Sequence, residues 1–468
     1  MRRASIGFAG RAAVDGSGGA RMSRQLIRRS SSVGANAGVP KALAATLGGR
    51  GGIVKGLINV NSDAEDPELF LSLAIPGNPK SFVPGQEGLI DFFASGMGRT
   101  PEEANTSAVA EAVERYCASY VQPDRTIFAS WQELGANALH PSELPLFTKE
   151  QHAKSGFPYR PFTEDSRIGW FEAYSLTRRR NVYVPAALTW DSYRPIAPNE
   201  DAICFGLMTG SAAGSTLEQA MLGGLLEIIE RDSFMIMWYN RLQMPGIDLN
   251  GSALLEPFGA LMDKRRFRLD LVDTTSDIGV PSVFGLLHTR DGKVSFGGAA
   301  RSTLEEAAAK TLMEISQLYM GNKAQIYASG LPELQADQIV DYGLRLPYYE
   351  QPNAMRELDF ACGAPKTRKL AANPIDVKMS NAEQLKQVLD RLAARGLEAI
   401  CADITTEDAR ALGLHVVKMI VPGSVQLPRS EHERLVGSRR IFDVPVEMGY
   451  RTFPIAPTDL NAAPHPFP

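Results

Sequence analysis

Three stretches of the chain repeat one pattern: T-x-E-[E/Q]-A, six residues, then E-x-x-[E/Q]. The first copy is Thr100, Glu102, Glu103, Ala104, Glu111 and Glu114; the second is Thr216, Glu218, Gln219, Ala220, Glu227 and Glu230. The third is Thr303, Glu305, Glu306, Ala307, Glu314 and Gln317. Arg115 and Arg231 directly follow the first two copies, and Leu318 the third. At ~100° per helical residue, the +8 and +11 positions lie ~80° and ~20° from the first Glu or Gln, so all three side chains share a face. Ser107 joins that face in the first copy.

A charged stripe on one helix is ordinarily a solvated face, with Glu111–Arg115 and Glu227–Arg231 as i,i+4 pairs. Helix capping explains Glu103, Gln219 and Glu306 without function. Neither account explains why the +8 and +11 acids recur at one spacing, nor why a Leu-rich second copy keeps two acids and an arginine. Carboxylates gathered from several helices repel unless a cation joins them. Hard oxygen ligands suit magnesium, which usually takes a few carboxylates plus substrate phosphates. Flanking arginines can clamp phosphate oxygens, and helix starts after small-residue turns offer N–H groups to the same anion. The constellation reads as a magnesium–nucleotide site. There is no G-x-x-x-x-G-K-[S/T] loop and no H-E-x-x-H, and the six histidines have no ligand spacing.

Each copy reads as a strand, a tight turn and a helix. Threonine is a good N-cap, and the Glu or Gln three residues later completes a capping box. The turns are Gly96-Met97-Gly98, Gly210 to Gly214, and Gly297 to Ala300. The faces opposite the acids are apolar: Val109, Ala112, Val113 and Tyr116 in copy one, Leu222, Leu225, Leu226, Ile228 and Ile229 in copy two. Further strand-like runs are 182–190, 281–289, 294–298, 397–404 and 414–421. A helix starting at Ser380, boxed by Glu383 and stopped by Gly396, lies between them. Alternating helices and strands place the fold in the α/β (α+β) class.

Residues 1–50 are Arg-, Ser- and Gly-rich with Asp15 as the one acid, and read as a flexible basic tail. The folded region is expected over 51–455, and 456–468 as a proline-rich tail ending Pro464-His465-Pro466-Phe467-Pro468, extended in a polyproline-like way. A net charge of -4 carries no nucleic-acid footprint. No apolar run is long enough to span a membrane. The four cysteines are far apart and form no C-x-x-C pair, which argues against structural zinc and disulfides and for a reducing, cytoplasmic setting.

The sequence resembles the YcaO family. The resemblance rests on Ser107-x3-Glu111-x2-Glu114-Arg115, on Ala212-Ala213-Gly214-Ser215-Thr216 running into Gln219 and Glu227-x2-Glu230-Arg231-Asp232, and on Glu306, Glu314 and Gln317. It continues through Val421-Pro422-Gly423, Glu431-His432-Glu433-Arg434-Leu435 and the terminal Pro-His-Pro-Phe-Pro, covering roughly residues 51–468. It implies a fold that binds ATP without a P-loop. Glu111, Glu114, Glu227 and Glu230 would hold Mg2+. Ser107, Arg115, Ser215, Gln219, Arg231, Glu306, Glu314 and Gln317 would contact or support the nucleotide. Many relatives carry Gly-Lys-Gly before the first helix; here Arg99 follows Gly96-Met97-Gly98, which leaves open whether Arg99 takes the lysine's place.

Family members that form azolines tend to end in alternating prolines. In that branch a Cys, Ser or Thr side chain of a ribosomal precursor peptide attacks the preceding carbonyl, the amide oxygen takes a phosphoryl group from ATP, and phosphate leaves. The resemblance implies that Arg115 and Arg231 serve catalysis, and that the Pro468 carboxylate, with His465 nearby, reaches the active site as a base. It implies a homodimer and a separate adenylating-enzyme-like partner that binds the leader peptide. Thioamide formation and a nucleotide-binding scaffold without turnover are the competing readings.

Overall fold

The computed structural model describes residues 30–32, 38–48, 51–79, 93–191, 193–323, 333–340, 342–363, 365–371 and 379–467. The strands, in chain order, begin with β1 (Ser30–Ser32), β2 (Val54–Val60), β3 (Phe70–Pro76) and β4 (Ala94–Gly98). They continue with β5 (Thr126–Ala129), β6 (Ile168–Ser175), β7 (Arg180–Pro185), β8 (Ser211–Gly214) and β9 (Gly246–Asp248). The rest are β10 (Phe267–Asp273), β11 (Ser282–Thr289), β12 (Val294–Ala300), β13 (Lys366–Lys369), β14 (Ile400–Asp403) and β15 (His415–Ile420). The long helices are α1 (Pro101–Ser119), α2 (Leu217–Asn240), α3 (Leu304–Lys323) and α4 (Asn381–Ala394).

The strands form three sheets, in the orders β1-β2-β3-β4, β5-β6-β14-β15-β8 with β7 beside β6, and β12-β11-β10-β9-β13. Each repeat strand (β4, β8 or β12) is therefore the edge of a different sheet, and each runs straight into its own helix. Each helix packs on its own edge strand and on that strand's neighbour, β3, β15 or β11. It then crosses to the next unit's edge strand: α1 to β8, α2 to β12 and α3 to β4. Three strand–helix units thus close a ring with pseudo-threefold order. The mixed helix-and-sheet class expected from sequence is what forms.

The local signals worked as physical chemistry says they should. Thr100, Thr216 and Thr303 each accept a hydrogen bond from the backbone N–H three residues on, at 3.2 Å in all three helices. The Glu103 and Gln219 side chains reach back to the N–H of Arg99 and Ser215, one residue before the cap and not to the cap itself. Ser380 and Glu383 close the predicted box, and Gly396 takes φ +68°. The apolar face of α1 is fully buried at Val109, Ala112 and Val113. α2 is buried almost all round, because it packs on two sheets, through β8 and β15 and through β11 and β12, and on α4 and the short helix Arg440–Glu447.

Two expectations change. The run 182–190 is a strand only to Pro185; Ala186–Thr189 is a helical turn that buries Ala186 and Leu188. Two alanines and a leucine after a φ-fixed proline favour that turn over extension. Residues 1–50 are not uniformly a tail. Residues 30–32 pair with β2, and 38–48 carry a short helix with Leu43 buried beside α1. An apolar side chain in a helix-forming Lys-Ala-Leu-Ala stretch outweighs the basic composition around it. Among the described residues, no helix is long and apolar enough to cross a membrane, and all four cysteines are free and buried.

Candidate active site

The site grows from the close approach of each helix to its own strand. A Cβ on Gly96 would lie 2.2 Å from the Ala108 nitrogen, so only glycine lets α1 sit this near β4. That proximity lets the +8 acid turn back onto the strand. Glu111 Oε2 accepts from Ser95 N at 3.0 Å, Glu227 Oε2 from Gly210 N at 2.8 Å, and Glu314 Oε2 from Gly298 N at 3.3 Å. One acid position in each unit therefore does the same job, which accounts for its recurrence in the sequence.

The +11 side chains point across the junctions between units. Gln317 Nε2 donates to Ser95 Oγ at 2.7 Å, joining the third unit to the first. Glu230 faces Gly298 of the third unit: a Cβ there would come within 3.2 Å of its Oε1. Glu114 meets the charge of Glu227 from the second unit. The three stripes therefore converge.

The electrostatics are those of crowded, half-desolvated acids. Burial, with the charges of Glu227 and Glu111, pushes the Glu114 carboxyl well above the usual carboxylate range. Burial also raises Glu230; Arg231 opposes that shift, while Glu314 and Glu227 add to it. Arg115 is held by Glu111 through two hydrogen bonds, 2.9 Å from Nε and 2.7 Å from Nη2. Arg231 Nε lies 3.3 Å from Glu230 Oε1, and its guanidinium stacks 4.3 Å over the Phe467 ring.

Ser107 in the second turn of α1 is exposed, as are Ser215, Gln219 and Glu306 at the helix starts, and the Ser215 hydroxyl donates to Gln219 Oε1 at 2.9 Å. The four acids expected to hold metal are not drawn into one cage. Among the described residues no three His, Cys, Asp or Glu side chains are grouped to hold a metal ion. Like charges at chelating distance repel, and Glu111 and Glu227 are turned to backbone N–H groups. Arg99 sends its guanidinium to the Leu254 carbonyl at 3.5 Å. Pro468 lies outside the described residues. His465 is buried, with Nε2 3.0 Å from the Pro428 carbonyl oxygen; burial and the Arg345 charge hold it neutral. That is the setting of a packing residue.

One feature adds detail to the sequence reading and one escaped it. The terminal segment is threaded into the core. Trp238 Nε1 donates to Ala463 O at 3.1 Å, Tyr349 donates to Pro464 O, and Phe467 packs between Phe234 and Phe284. The second is Lys418 on β15, 1% exposed in a strand that is otherwise apolar from Val416 to Ile420. A lysine inside such a run was the available signal. A buried clamp, Arg440 to Asp232 at 2.6 Å and to Asp277 at 2.7 Å, ties the C-terminal part to the end of the second motif.

Comparison with known proteins agrees with this architecture. The pattern of YcaO cyclodehydratases, described as ATP- and Mg2+-binding, matches residues 95–425. The chain belongs to the YcaO family. An uncharacterised protein of Methanothermobacter thermautotrophicus is 28% identical over 353 residues, spanning 72% of this chain and 82% of that protein. A heterocyclase solved in complex with substrate and cofactor superposes with a TM-score of 0.73 at 26% identity, covering 89% of this chain. This chain spans only 55% of that heterocyclase. The YcaO of Methanopyrus kandleri, bound with AMPPCP and Mg2+, shares the fold at a TM-score of 0.56 and 22% identity, over 79% of this chain and 86% of that one.

Proposed function

We propose that the ring of three units is an ATP- and Mg2+-dependent cyclodehydratase site that converts Cys, Ser or Thr of a ribosomally made precursor peptide to thiazoline or oxazoline. The observation that carries this reading is the burial of the Phe467 ring under the Arg231 guanidinium and against Gly298, which Glu230 also faces, where the acidic stripes converge. The heterocyclase complexed with substrate and cofactor supports it.

The donor set fits the group it has to hold. Glu230 Oε1 is buried without a hydrogen bond. The carboxylates are hard oxygen donors, and magnesium asks for only one or two of them beside phosphate oxygens. Glu114 and Glu230 at the junctions, with Glu111 and Glu227 behind them, would hold Mg2+. Arg115 and Arg231 would meet phosphate, with Ser107, Ser215, Gln219, Glu306, Glu314 and Gln317 around the nucleotide. The bound magnesium nucleotide supplies the phosphoryl group that turns the amide oxygen into a leaving group.

The chain's own part is positioning and charge stabilisation. The substrate thiol or hydroxyl adds to the preceding carbonyl carbon and loses its own proton to solvent, and the original C–O bond breaks as phosphate departs with that oxygen. The ring nitrogen loses its proton; the Pro468 carboxylate is the base assigned to take it. The tail's threaded path, anchored at Tyr349 and Trp238, would carry that carboxylate to the site. The peptide is delivered by an adenylating-enzyme-like partner protein, and the chain works as a homodimer.

Mass spectrometry of a precursor peptide co-expressed with the chain and that partner tests the product. Loss of one water per modified residue is expected. Replacement of a backbone oxygen by sulfur would move the assignment to thioamide formation.

A further inference from the structure

The three junctions of the ring are built alike and filled differently. Between the third and first units, the neutral Gln317 amide meets Ser95 directly. Between the second and third, Glu230 is met by Arg231 and the Phe467 ring. Between the first and second stands Lys418.

Lys418 lies on β15 directly across from Ser211 of β8, the strand that opens the second unit. Its Nζ donates to the Leu207 carbonyl and lies 3.5 Å from Ser211 Oγ. Lys418 shares the β15 face of Val416 and Ile420, which packs with α1, and Gly210, whose N–H is held by Glu227 Oε2 at 2.8 Å, gives its carbonyl to the N–H of the neighbouring Met419 at 2.7 Å, so the ammonium lies between α1, which carries Glu114, and the Glu227 carboxylate of α2. Those two carboxylates and Asp191 all act on it, while burial works the other way and brings its pKa down to about 8. Burying an ammonium is unfavourable unless opposite charges offset it. A strand that otherwise reads as plain core, Val416, Val417, Met419 and Ile420, has no packing need for it. At the Gln317 junction the +11 side chain is neutral, and the acid alongside it, Glu111 on Ser95 N, is already paired with Arg115 through two hydrogen bonds.

We infer that Lys418 is a positioning residue, a built-in cation that balances Glu114 and Glu227 across the first junction so that the site takes Mg2+ with a nucleotide and resists the bare ion. This rests on the proposed reading of those acids. With the lysine charged, a lone divalent cation meets a partly neutralised pair. A polyphosphate that brings its own negative charge meets a favourable field.

The test is Lys418→Met in the full chain, with two titrations: magnesium chloride alone, and ATP in saturating magnesium. Magnesium alone should bind about tenfold tighter, and KM for ATP should rise about tenfold with kcat changed much less. Lys418→Arg, which keeps the charge, should bring both values back toward wild type. Should Lys418→Met fold poorly, adding it to Glu227→Gln removes a charge pair together, and against Glu227→Gln alone it should still tighten magnesium. A parallel weakening of magnesium and ATP would mean a merely structural lysine and would overturn the inference. So would magnesium binding that Glu114→Gln abolishes but Lys418→Met leaves unchanged. Magnesium binding indifferent to Glu114→Gln would instead sink the reading of the acids, and the role of the lysine with it.

Discussion

Two junctions of the ring make the most instructive comparison. Where α3 meets β4, the +11 side chain is Gln317, hydrogen-bonded to Ser95 and neutral. Where α1 meets β8, the same position is Glu114, crowded by Glu227 and Glu111, with a buried lysine among its charges. The backbone arrangement is equivalent; one side chain separates a closed seam from a charged cleft. A repeated scaffold lets a protein keep the geometry three times and reserve the costly chemistry for the places where it is used. Buried acids with raised pKa values gather at functional sites for that reason.

Breaking the charged junctions should have the largest effect. Glu114→Gln and Glu230→Gln should each lower magnesium-dependent ATP hydrolysis by ~100-fold or more, the scale of losing one electrostatic contact to a transferring phosphoryl group. Circular dichroism should stay native. Unchanged hydrolysis in both would show that the acids are scenery. Next comes the close approach that aims them. Gly96→Val should cost about 1–3 kcal/mol by pushing α1 off β4, read as a lower denaturation midpoint. The neutral seam is worth less: Gln317→Ala should cost about 1 kcal/mol, one net hydrogen bond. A loss as large as that of Gly96→Val would mean that the seam holds the ring together.

The smallest effect concerns the tail anchor. Burial and then the Arg345 charge depress the His465 pKa well below its ordinary 6.5. A depressed folded-state pKa contributes stability above the unfolded value that is lost as pH falls. Hydrogen exchange across residues 460–467 should therefore quicken as pH drops below ~6.5, after correction for the intrinsic rate, and His465→Gln should flatten that dependence. An identical pH response in the variant would place the anchor elsewhere, at Tyr349 or Trp238.

The caps, the acidic stripes and the apolar faces were legible because each depends on residues a turn or two apart. Thr100, Thr216 and Thr303 announce their helices by local hydrogen bonding alone. The shared task of Glu111, Glu227 and Glu314 was half legible: their spacing showed that they belong together, while their backbone partners emerged only with the strand placed beside the helix. Lys418 was not legible, since a lysine in an apolar run has bland explanations in one dimension; that the tail runs inward was expected from the family resemblance alone, and its anchors from Ala463 to Phe467 depend on residues far away in sequence.

What the amino-acid order determined by itself is the content of the three units: which side chains each helix carries, on which face, and where it starts. What tertiary structure alone decided is the ring. The first and third units draw their partner strands, β2–β3 and β10–β11, from the chain just before them, but the second takes β14 and β15 from residues 400–420, far along the sequence. No local pattern can specify a pairing between segments that distant. It is selected by burying α2 between two sheets at once, against β8 and β15 on one and β11 and β12 on the other, a gain that exists only when both are in place.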